Sequence, residues 1–87
     1  MATVWFSEPA EQELKRFANK DQQKVADAVS LLEDDIYREQ NKLDLNLVEQ
    51  GFKIYSLIIG GVWLGFHNDS RNSVCVDWVS LRSRFEP

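Results

Sequence analysis

The chain has 87 residues, 44% of them apolar and 28% charged, with a formal net charge of -4 at pH 7. That length supports one domain with one core, and no apolar run approaches the roughly 18 residues that a membrane-spanning helix needs. The acidic balance excludes the broad basic field that draws a protein onto nucleic acid, where phosphate contacts dominate affinity.

The charge is unevenly spread. Residues 1–50 hold six basic side chains against eleven acidic ones, whereas residues 51–87 hold four against three. The opening Met1-Ala2-Thr3-Val4-Trp5-Phe6 lacks the basic start and long apolar stretch of a secretory signal, so a cytoplasmic location is expected. Cys75 is the single cysteine and cannot form an internal disulfide; between Val74 and Val76 it reads as a small buried hydrophobe.

In chain order, Thr3 to Phe6 has the β-branched and aromatic content of a short strand. Ser7 follows as a helix N-cap, with Glu8 and Glu11 in a first turn that tolerates Pro9. Ala10, Leu14 and Phe17 recur at helical spacing and predict a helix ending near Asn19. Asp21 is the next N-cap candidate, and Val25, Ala28, Val29, Leu32 and Ile36 form one apolar stripe along a longer second helix. Glu33, Asp34 and Asp35 are adjacent, point in different directions on a helix and make a poor metal cage. Leu43, Leu45 and Leu47 alternate as an extended lead into the sheet.

The last third reads as an antiparallel meander. Its strands are Gly51 to Ile59, Val62 to His67 and Val74 to Arg84, with a Gly60-Gly61 hairpin turn and a polar Asn68 to Asn72 loop between them. The expected fold is therefore α+β over residues 1–87 as a single domain: a short N-terminal strand, a two-helix hairpin and a three-stranded antiparallel meander. If Phe52, Ile54 and Ile58 face the helices, then Lys53, Tyr55, Leu57 and Ile59 face away, because side chains alternate along a strand. Both parities are largely apolar, which predicts an exposed apolar face and a partner upon it, a second copy among the candidates.

The element order, the Phe52-Lys53-Ile54 strand start, the glycine turn and a last strand running into Val79-Ser80-Leu81-Arg82-Ser83-Arg84 resemble the RelE/ParE superfamily of small toxins from type II toxin-antitoxin systems, the RelE-like branch in particular. The resemblance covers nearly the whole chain in architecture and is modest in motif content. It implies that an antitoxin covers the open face of the sheet. It also implies either cleavage of messenger RNA on the ribosome without a metal or cofactor, or, for the ParE-like branch, inhibition of DNA gyrase. Carried over by position, Lys53 matches a basic residue that activates the attacking 2'-hydroxyl or steadies the phosphate. Arg82 and Arg84 match the basic cluster at the end of the last strand.

Tyr55 stands where a second lysine is common and could stack on a base, and Trp63 stands where a phosphate-binding arginine is expected. His67 is the lone imidazole and a candidate general acid or base, and Arg71 is a further RNA contact. Leu57, Ile59, Trp63 and Trp78 are the expected partner interface. With a catalytic charge replaced by Trp63, the competing reading is a non-catalytic protein-interaction module on the same scaffold. The implied partners are a cognate antitoxin, the ribosome with its messenger RNA, and a second copy; no membrane is implied.

Overall fold

The computed structural model describes residues 1–81. Strand β1 (Thr3–Phe6) leads into α1 (Glu8–Lys15), α2 (Asn19–Leu32) and α3 (Asp35–Asn41). Four strands follow: β2 (Leu43–Glu49), β3 (Phe52–Ile59), β4 (Val62–Ser70) and β5 (Ser73–Leu81). They form one sheet in the order β1-β5-β4-β3-β2, in which β1 runs parallel to β5 and every other pair is antiparallel. Arg82 and Arg84 lie outside the described residues.

This corrects the expected fold in two respects. Among the described residues the sheet has five strands and is mixed, where a three-stranded antiparallel meander was expected, and three helices stand in place of a two-helix hairpin. The extra strand β2 is masked in the sequence by its own irregularity. Leu45 and Asn46 are bulged out between the pairs Asp44–Tyr55 and Leu47–Ile54, with Asn46 at a φ of 54° and its amide donating to Asp44 Oδ1 at 2.8 Å. The parallel pair arises because the helices carry the chain from β1 to the far edge of the sheet, and the meander then returns strand by strand to lie beside β1.

The second helix stops at Leu32, short of Ile36. Asp34 adopts an extended conformation and its carboxylate accepts from the amides of Ile36 and Tyr37, so it caps a new helix. Arg38 then reaches back, buried, to donate to the Leu32 carbonyl at 2.7 Å, answering the negative end of α2. Ile36 is left 69% exposed. Ser7 caps α1 as expected, accepting from the Ala10 amide.

One core lies between the helices and one face of the sheet. It joins Ala10, Phe17, Val25, Ala28 and Leu32 to Leu57, Ile59, Val62, Leu64, Phe66, Val74, Val76, Val79 and Leu81. The parity expected for β3 is thus inverted. Tyr55, Leu57 and Ile59 face the helices, while Phe52, Ile54, Ser56 and Ile58 face away. Leu57 and Ile59 are accordingly core residues and not a partner surface.

Along β5, Val76 and Val79 both point to the helices although they are three positions apart. A bulge makes this possible: Gly65 pairs with Trp78 and Phe66 with Val76, leaving Asp77 as an additional residue. Trp78 then lies on the helix-free face over Gly65, edge-on to Trp63 with ring centroids 4.7 Å apart. A Cβ built at Gly65 would overlap the Trp78 indole. We expect Gly65→Ala to lower the unfolding free energy by about 1–3 kcal/mol, the range for overpacking a closed site. Urea denaturation followed by tryptophan fluorescence measures this, and an unchanged midpoint would contradict the packing described.

Candidate functional site

Two bulges on the helix-free face build the site. The first places Asp77 outside the regular pairing of β5; the second, between Asn68–Val74 and Ser70–Ser73, does the same for Asp69 on β4. Between them His67 pairs directly with Cys75. Trp5, opposite Cys75 on β1, donates from Nε1 to Asp69 Oδ2 at 2.8 Å and to Ser73 Oγ at 3.1 Å. Bulges re-aim side chains, and here both bulged residues are carboxylates, Asp77 turned onto His67 and Asp69 onto Trp5.

His67 Nδ1 lies 2.7 Å from Asp77 Oδ2, and both side chains are largely buried. A carboxylate only accepts, so Nδ1 carries the hydrogen and the neutral ring keeps its lone pair on Nε2. Phe52 stacks on the imidazole, with centroids 4.6 Å apart and planes 30° from parallel. Asp77 is held from behind, because its carbonyl accepts from Ser7 Oγ at 3.2 Å and the Ser7 amide donates to the Val76 carbonyl at 2.9 Å. The start of α1 thereby anchors the bulge. A cavity of about 260 Å³ opens here, lined by His67, Asp77, Phe52, Ile54 and Trp78 together with Ser7, Pro9, Glu49 and Gln50. Burial first, then the neighbouring charges of Asp77 and Asp69, push the Cys75 thiol up to about 11.

The residues singled out in the sequence divide between the two faces. Lys53 is not beside His67. It shares the helix side with Tyr55, pairs with Asp44 at 2.6 Å and stands 5.7 Å from the Tyr55 ring centroid, while Lys42 covers that ring at 4.2 Å. Tyr55 also packs against the core, so its ring has no open face toward the His67 cavity. Arg71 is exposed in the turn between β4 and β5. Trp63 and Trp78 do lie together on the helix-free face. Asp77, Cys75, Asp69 and Phe52 were not selected as site residues from the sequence. The signal that could have found them is Asp77 itself, an acid set inside the apolar run Val74 to Val79.

Around the cavity the helix-free face is apolar. Phe52, Ile58, Leu43 and Leu47 are 37–53% exposed, and Trp63 and Trp78 are half-buried among them. No family model matches the chain, and no curated protein matches it.

Lys53 holds the Asp44 carboxyl below the ordinary carboxylate range, chiefly by direct hydrogen bonding, and Asp44 raises Lys53 in turn. A lowered acid stabilises the fold above its ordinary pKa and loses that contribution as pH falls through the lowered value; a raised lysine contributes below its ordinary pKa and loses it as pH climbs through the raised one. In Lys53→Met the Asp44 carboxyl should therefore titrate higher, while the His67 ring resonances stay in place. A His67 response of comparable size by NMR would contradict the placement of the two residues on opposite faces.

Proposed function

We propose that this chain is the toxin-like member of a type II toxin-antitoxin pair and that an antitoxin covers the helix-free face of its sheet. The observation that carries the reading is that face: Leu43, Leu47, Phe52 and Ile58 exposed around the Trp63–Trp78 pair. Apolar patches of this kind mark interfaces, and paired tryptophans are frequent energetic anchors in them. The resemblance to RelE/ParE toxins at the Phe52-Lys53-Ile54 strand start and the glycine turn supplies the class of partner, and the acidic balance favours protein over nucleic acid as the first contact.

Induction of the chain alone should arrest bacterial growth, and co-expression of a cognate antitoxin should restore growth, the antitoxin co-purifying with the chain. Trp63→Asp or Ile58→Asp, each on the open face, should abolish co-purification while leaving the far-ultraviolet circular dichroism unchanged. Unaffected growth would dismiss the toxin reading; undiminished co-purification would dismiss this face as the interface.

A second reading, cleavage of messenger RNA, is favoured by the His67–Asp77 pair beside the cavity. Asp77 orients the imidazole so that Nε2 could take a proton from a 2'-hydroxyl or deliver one to a leaving oxygen. Metal-free cleavage also needs fixed positive charge at the phosphate. With Lys53 on the opposite face and no lysine or arginine among the described residues lining the cavity, the cations left for that role are Arg82 and Arg84, to which the resemblance assigns it. His67→Ala should then reduce cleavage about 10²- to 10⁴-fold, the usual contribution of a positioned acid or base. Growth arrest with intact messages would set cleavage aside in favour of a non-cleaving target such as gyrase.

A further inference from the structure

We propose that His67, Cys75 and Asp77 form a three-ligand site for a divalent transition metal of the zinc class, with its open coordination position facing the cavity. A ring nitrogen, the Cys75 Sγ and a carboxylate oxygen of Asp77 lie within 4.8 Å of one another. They come from neighbouring positions on two paired strands, so the backbone presets them. The inference is independent of the toxin reading, since it concerns what these side chains bind and not what the face recruits.

The donor set selects the ion. Thiolate and imidazole are soft or borderline ligands that suit zinc and its neighbours, whereas calcium and magnesium require oxygen cages. With metal–ligand bonds of about 2.0–2.3 Å, tetrahedral donors sit some 3.3–3.6 Å apart, so the widest separation must close by about 1 Å and the 2.7 Å His67–Asp77 hydrogen bond must give way to the metal. His67 and Cys75 occupy one cross-strand pair, and the bulge turns Asp77 onto His67. Three protein ligands leave a fourth position for water or a substrate atom, and both His67 and Asp77 line the cavity that would supply it.

Among the described residues the cavity carries the carboxylates of Asp77 and Glu49 and no lysine or arginine. One Asp69 oxygen, Oδ1, is buried without a hydrogen-bond partner among the described residues. A dication reverses this balance. The thiol proton passes to solvent as the sulfur–metal bond forms, and the imidazole nitrogen that binds leaves its hydrogen to the other ring nitrogen, so the ring stays neutral.

The test uses the full, reduced, chelator-treated chain titrated with cobalt(II) as a spectroscopic stand-in for zinc. Binding at this site should produce visible bands of tetrahedral intensity and a near-ultraviolet thiolate-to-cobalt charge-transfer band, both bleached by an equimolar amount of zinc. Cys75→Ser should lose the charge-transfer band. His67→Gln should weaken zinc binding by at least the roughly 10- to 100-fold that loss of an outer-sphere partner alone costs metal sites. A cobalt spectrum that stays that of the aquo ion in the unmodified chain would overturn the site without recourse to any variant. So would zinc affinity that is unchanged in both variants.

Discussion

The arrangement of the molecule turns on the bulge at Asp77. Val74 and Val76 on one side of it, and Val79 and Leu81 on the other, all reach the core against the helices. In an unbroken strand one of these two pairs would turn outward. Burying a valine or leucine side chain is worth about 1.5–3 kcal/mol, while one backbone hydrogen bond lost at a bulge is worth about 0.5–1.5 kcal/mol. The core wins that comparison, and the strand accepts the additional residue. What the core requires on one side then determines the chemistry on the other: Asp77 arrives against His67, and Trp78 comes to rest over the bare backbone of Gly65.

The two faces of the sheet consequently differ in character. On the helix side the polar groups at the sheet margin answer one another, Lys53 with Asp44 and Lys42 over Tyr55, and they do not converge on a cavity. On the other side tryptophans, phenylalanine and aliphatic side chains surround a small acidic and imidazole-bearing hollow. A surface of that composition suits a protein partner at its apolar margin and a small ligand or ion at its centre. The two proposed roles would occupy adjoining ground, with Phe52 and Trp78 common to both.

The sequence made some of this legible. Ser7 as a cap and the Gly60–Gly61 turn with its two positive φ angles follow from local rules and are found in the structure. What escaped was set by long-range or irregular features. The β2 strand is interrupted by the turn at Asn46, with Leu45 and Asn46 bulged out of the pairing with β3. The α2–α3 break depends on whether Asp34 caps or continues a helix, a choice fixed partly by Arg38 reaching back to the Leu32 carbonyl. The parity of β3 was ambiguous because Phe52, Ile54 and Ile58 are as apolar as Leu57 and Ile59, and only the packing of the helices decides between them. At the site, His67 was visible as the lone imidazole, but its partner could not be seen before the bulge in β5 was known. Lys53 was assigned to the wrong face by the same ambiguity of parity.

The parallel pairing of β1 with β5 carries a consequence for how the molecule comes into being. Thr3 meets Ser73 and Ser7 meets Asp77, contacts separated by seventy positions in the chain. During synthesis β1 emerges first yet must wait, unpaired, until the last strand of the sheet has been made, because nothing earlier in the chain offers it a neighbour in the final order. Helices and the β2–β3–β4 ribbons can assemble from nearby segments, but closing the edge exacts a large loop entropy and comes late. The anchor that Ser7 gives to the Asp77 bulge is made in that same closing step, so the hollow beside His67 takes its shape only when the two ends of the sheet have met.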